Sequence, residues 1–106
     1  MLELTKETFE EEVIKAEGLV FVDFYGEGCA PCAALKPHVD RLAEVYAASF
    51  KFTALDTSKA RRVAIGQKVL GLPVLAVYKD GEKLRELVGD AATAGSLEAL
   101  LQEFSR

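Results

Sequence analysis

Residues 19–25 read LVFVDFY, a near-continuous β-type run with one charge inside it. A strand half-exposed to water alternates apolar with polar residues; an unbroken run suits a strand covered on both faces. That cover must come from helices, and helical patterns lie on either side of the run. Thr5 is placed to cap a helix whose face is Phe9, Val13 and Ile14 and which stops by Gly18. From Ala30 to about Ala48, Leu35, Val39, Leu42 and Tyr46 recur along one helical face, with Pro37 expected to kink the helix.

The rest of the chain continues the alternation. LEL at 2–4 is expected as a short edge strand, FKFTALD at 50–56 as a strand and 58–67 as a shorter helix ending near Gly66. PVLAVYK at 73–79 and EKLRELV at 82–88 are two strands joined by a tight KDG turn, so they pair antiparallel. Gly89 ends the last strand, and Leu97, Leu100, Leu101 and Phe104 form the apolar face of a C-terminal helix. The order βαβαβαββα predicts an α/β fold with a mixed central sheet and helices on both faces. With 106 residues and no linker or internal repeat, residues 1–106 are expected to form one domain.

Charge and composition narrow the function. The net charge is −4, no basic run exceeds ARR at 60–62, and nucleic acid is a poor partner for such a surface. No apolar stretch approaches the roughly 20 residues of a membrane span. The opening MLELTKETFEEE is acidic and amphipathic, unlike a secretory leader. The expected location is cytoplasmic, where a close cysteine pair is more often catalytic or metal-binding than structural. Half the residues are hydrophobic, so the core does not need a covalent staple, and a bridge across two residues would stabilise little.

The two cysteines, Cys29 and Cys32, stand where the 19–25 strand gives way to a helix. Unpaired N–H groups and the positive end of the helix dipole favour a thiolate there. Three residues apart, both sulfurs share one face of the first turn and meet without unwinding it. That suits thiol–disulfide exchange, in which one thiolate attacks a client disulfide and the second thiol releases the client. Chain order makes Cys29 the exposed nucleophile and Cys32 the shielded resolving thiol, with Pro31 stiffening the turn. Asp23 lies six residues before the pair among Val20, Phe21, Val22, Phe24 and Tyr25. Burial there raises its pKa and suits it to take the proton of Cys32. The plainer alternative is a carboxylate pointing to water from a half-exposed strand.

VDFYGEGCAPC at 22–32, Pro37, GLPVLAVYKDGE at 71–82 and Gly89 together resemble the thioredoxin family, over nearly the whole chain. The resemblance implies a thioredoxin fold and a protein-disulfide reductase. It makes Cys29 the attacking thiol, Cys32 the resolving thiol, together a redox-active disulfide, and Asp23 the buried proton acceptor. It implies a cis bond between Leu72 and Pro73, and a substrate-binding surface from Gly28, Ala30, Pro31, Leu72 and Pro73. Disulfide-containing proteins are the implied clients and a flavin-dependent thioredoxin reductase the implied electron donor. A monomer with no bound cofactor and no metal suffices.

Three positions depart from the family pattern. Gly28 stands where Trp is common before the first cysteine, and the chain has no Trp. CAPC replaces the usual CGPC. Ala54 stands where a lysine often accompanies the buried Asp, so Asp23 is expected to titrate higher. These changes bear on partner choice and redox poise more than on reaction type.

Other readings weigh less. Cys29, Cys32 and His38 could begin a metal site, but structural zinc needs four Cys/His ligands. A redox-dispensable binding module is kept open by the missing Trp and Lys, against the presence of both cysteines, Asp23 and Pro73. Glutathione-dependent use of the pair is disfavoured by proline beside the second cysteine. Reductase and oxidase directions differ only in potential.

Overall fold

The computed structural model describes residues 1–105. Five strands, β1 (Leu2–Leu4), β2 (Leu19–Tyr25), β3 (Lys51–Asp56), β4 (Val74–Lys79) and β5 (Glu82–Val88), form one sheet in the order β1-β3-β2-β4-β5. β1 and β2 pair parallel with β3, whereas β4 pairs antiparallel with β2 and β5. Helices α1 (Ala30–Val45), α2 (Arg61–Gly66) and α3 (Ala94–Phe104) complete the expected α/β architecture.

β2 is central, and its two sides feed two cores. Val20, Val22 and Phe24 pack with Phe9, Val13, Leu55, Ala64 and Tyr78 on one face. Phe21 packs with Val39, Leu42, Leu75, Leu97 and Leu101 on the other. Strand side chains alternate, so Asp23 shares the face of Phe21, the face covered by α1 and α3. Its cross-strand neighbours are Ala54 on β3 and Leu75 on β4, neither able to neutralise a charge.

The strands start within one residue of the expectation, but three helical boundaries differ from it. The first helical segment is a π-helical turn, Glu10–Ile14, closed by the Lys15 N–H donating to the Glu10 carbonyl at 2.9 Å. Thr5 starts the turn before it, accepting from the N–H groups of Thr8 and Phe9. The expected apolar face holds: Phe9 and Val13 are buried, with the Phe9 ring 6.2 Å from Phe24 and 6.3 Å from Tyr78. α2 starts at Arg61, because Asp56 folds residues 56–59 into a turn, accepting the Ser58 N–H on its side chain. α1 ends at Val45, where residues 46–49 tighten into a turn before β3. The KDG turn is a two-residue hairpin loop with positive φ at Asp80 and Gly81, the pairing that matches strand twist.

Candidate active site

Cys29 caps the N-terminus of α1 with an extended backbone, φ −85° and ψ 97°. Its Sγ accepts the N–H of Cys32 at 3.2 Å, which satisfies one of the free donors of the first turn. Pro31, lacking an N–H, sits inside that turn where none is needed. A disulfide joins Cys29 and Cys32, whose Cα atoms are 5.3 Å apart. Cys29 is partly exposed and Cys32 is 7% exposed. Pro37 cannot donate to the carbonyl one turn earlier, at Ala33, so α1 loses one bond of its ladder beyond the cysteine turn.

The loop before the cysteines is tied to its neighbours. The Glu27 N–H donates to Ser58 Oγ at 2.8 Å, joining it to the turn after β3. Gly26 faces Leu72: a Cβ there would lie 2.7 Å from Leu72 Cδ1 and 3.3 Å from Thr57 Oγ1. Thus the Leu72–Pro73 segment, joined by a cis bond, packs beside the cysteine loop through Gly26. Gly28 has φ +75° with nothing near its missing side chain. The position where Trp is common in related chains here has a backbone that L residues rarely adopt. The departure is conformational as well as chemical.

Asp23 is 5% exposed beneath α1. Burial pushes its carboxyl up to about 7, with Lys36 opposing the rise and Asp40 and Glu3 adding to it. The register places Ala54 beside it, as read from the sequence. Asp23 lines a recess of about 510 Å³ together with Gly28, Cys29, Ala30, Cys32 and Lys36. It also lines an outer recess of about 660 Å³ toward Glu3, Asp40, Glu44 and Phe52. A carboxyl that titrates near neutrality can both hold and release a proton at physiological pH.

The cysteines, Asp23, Gly28, Ala30 and Pro31 are thus gathered at one end of the sheet, with Leu72 and Pro73 alongside. His38 is exposed on α1 and joins no three-residue group able to hold a metal ion among the described residues. Sequence reasoning missed Lys36, whose place over Asp23 depends on how α1 crosses the sheet. It also missed the exposed Ile65 and Leu70, at 66% and 87%, which border a recess of about 340 Å³ with Leu72. A leucine so exposed two residues before Leu72 was a visible signal only once the loop was known.

A CxxC disulfide across the first turn of a helix, on a mixed five-stranded α/β sheet, is the arrangement of a thiol–disulfide oxidoreductase. The family model described as Thioredoxin matches residues 1–103. The chain is 51% identical over 104 residues to the thioredoxin of Acetoanaerobium sticklandii, covering 98% of this chain and 99% of that protein. It is 45% identical over 101 residues to the thioredoxin of Peptoclostridium acidaminophilum, covering 95% and 92%. With thioredoxin C-2 of Corynebacterium nephridii the identity is 34% over 99 residues, covering 93% and 91%. The chain belongs to the thioredoxin family, and its activity is that of a thioredoxin-type protein-disulfide reductase.

Proposed function

We propose that the chain reduces disulfides of client proteins with Cys29 attacking, Cys32 resolving and Asp23 accepting the proton of Cys32. The observation that carries this division is the asymmetry of the pair: Cys29 is partly exposed at the helix cap, and Cys32 is buried beside the Asp23-lined recess. In the reduced protein the Cys29 thiolate attacks one sulfur of the client disulfide. The client S–S bond breaks, a mixed disulfide forms, and the client's other sulfur leaves as a thiolate that takes up a proton. Cys32 then passes its proton to ionised Asp23 and attacks Cys29 Sγ, which frees the second client sulfur. Two electrons have moved to the client, and the Cys29–Cys32 disulfide remains.

Gly28, Ala30, Pro31, Leu72 and Pro73 would receive the client chain. The apolar rim of Ile65 and Leu70 next to Leu72 supports a client segment lying along this edge. The reading includes a monomeric, single-domain protein of the cytoplasm, acting in electron transport and redox homeostasis. A flavin-dependent thioredoxin reductase returns the two electrons. Placement of both thiols of the chain in one exchangeable pair supports a reducing setting.

Trapping tests the reading. Cys32→Ser accumulates a mixed disulfide with a model disulfide protein through Cys29, and Cys29→Ser does not. If neither variant traps and the wild-type protein cannot reduce that client, the proposal fails.

A further inference from the structure

Asp23 has no cation on its own sheet, since its neighbours there are Ala54 and Leu75. The cation comes from above. Asp23, Tyr25 and Lys36 are the residues that line both the recess at the disulfide and the outer recess. Lys36 is the only lysine or arginine lining either one among the described residues. Its ammonium group is not buried with Asp23. The Lys36 side chain is 61% exposed, and its Nζ is held by Asp40, one turn further along α1, at 2.9 and 3.1 Å. An exposed ion pair of this kind is weak, so it yields readily when another charge appears nearby.

We propose that Lys36 is the positioning residue for Asp23: its side chain borders both recesses that Asp23 lines, and its ammonium leaves Asp40 to support Asp23 when that carboxyl ionises. This rests on the reading of Asp23 as proton acceptor for Cys32. To accept a proton, Asp23 must first be ionised, and burial among Ala54 and Leu75 works against that. Lys36 restores an ionised fraction at neutral pH, in line with its opposing effect on the Asp23 pKa. The proton moves from Cys32 Sγ to Asp23 and later leaves by the outer recess, and no electron moves in this step.

The other charged groups around Asp23 set the sign of each test. β1 supplies Glu3, which accepts the Tyr25 hydroxyl of β2 at 2.7 Å, and α1 supplies Asp40 and Glu44 beside Lys36. Met1 closes the outer recess, and Cys29 and Cys32 close the inner one. Asp40 acts against Asp23 ionisation twice, as a nearby anion and as the competing partner of Lys36.

The test is the pH dependence of release of a preformed Cys29–client mixed disulfide. It is read in the wild type and in Lys36→Met, Lys36→Arg, Asp40→Asn and Asp23→Asn. Lys36→Met keeps the stem and moves the midpoint up by about half a pH unit. Lys36→Arg restores it, and Asp40→Asn moves it down. The carbon-13 titration of the Asp23 carboxyl shifts in the same directions, which a merely structural role on an exposed helix face would not produce. If Asp23→Asn abolishes the pH dependence but Lys36→Met leaves the midpoint in place, or Asp40→Asn raises it, the role of Lys36 is overturned alone. If Asp23→Asn leaves the dependence intact, the proton-acceptor reading falls, and this proposal with it.

Discussion

Asp23 keeps its proton in the folded protein over a pH range in which a free aspartate has lost it. Its pKa rises from 3.8 to about 7 through burial, with Lys36 limiting the rise. Between those two values the folded state binds a proton that the unfolded state has released. Stability from this site is therefore fully present below about pH 4 and is lost as pH rises through 7. A rise of that size corresponds to on the order of 4 kcal/mol. Urea denaturation of oxidised Asp23→Asn should show a gain approaching that size above about pH 8, shrinking to nothing near pH 4. With Asp23 in its proposed role, the gain would come with slow client release. Gly28 is the second residue-scale case. Its φ of +75° costs an L side chain about 1 kcal/mol, although nothing fills the space around it. Gly28→Ala should lower Tm by about 5 °C without disturbing packing.

At the scale of elements, the site is a junction of loops held at close quarters. The loop before Cys29 touches the Leu72–Pro73 segment through Gly26 and the turn after β3 through Ser58. A methyl at Gly26 would sit 2.7 Å from Leu72 Cδ1, so Leu72 must move away from the cysteine loop. Gly26→Ala should therefore weaken client trapping by Cys32→Ser protein several-fold while lowering stability by only about 1 kcal/mol. Mixed-disulfide yield and Tm, measured together, check this. The central elements were legible in the sequence because burial on both faces leaves an unbroken apolar run. β2 spans Leu19–Tyr25, as read from the residues alone, and the edge strand β5 spans Glu82–Val88 as its KDG turn and Gly89 set it. Helix ends were not, because they depend on local competition. The Asp56 side chain captures the Ser58 N–H and delays α2, and a widened turn at Glu10–Ile14 serves the same apolar face as a regular helix. In the site, Cys29, Cys32 and Asp23 stood out by spacing and by misplaced charge. Lys36 did not, because i,i+4 pairing with Asp40 is what any solvated helix face shows.

For the molecule as a whole, one sheet separates two cores that both draw on β2, β3 and β4 but have no side chain in common. Leu42, fully buried on the inner face of α1, belongs to the core on the Asp23 face, and Val13 belongs to the other. Leu42→Ala should cost about 3 kcal/mol and Val13→Ala about 2. Because the sheet stands between them, the double variant should lose the sum to within about 0.5 kcal/mol. Chemical denaturation of the three proteins decides this, and a larger deviation would mean that the faces are mechanically coupled through β2. The glycine that stands in place of an indole at position 28 has one more consequence, in light rather than in chemistry. The chain has no Trp and three Tyr, so under tyrosine-band excitation its emission comes from Tyr25, Tyr46 and Tyr78. Tyr25 borders both recesses beside Asp23, which makes it a built-in lamp next to the titrating carboxyl. A client's tryptophan signal can then be followed through exchange against a background that is dark at its excitation edge.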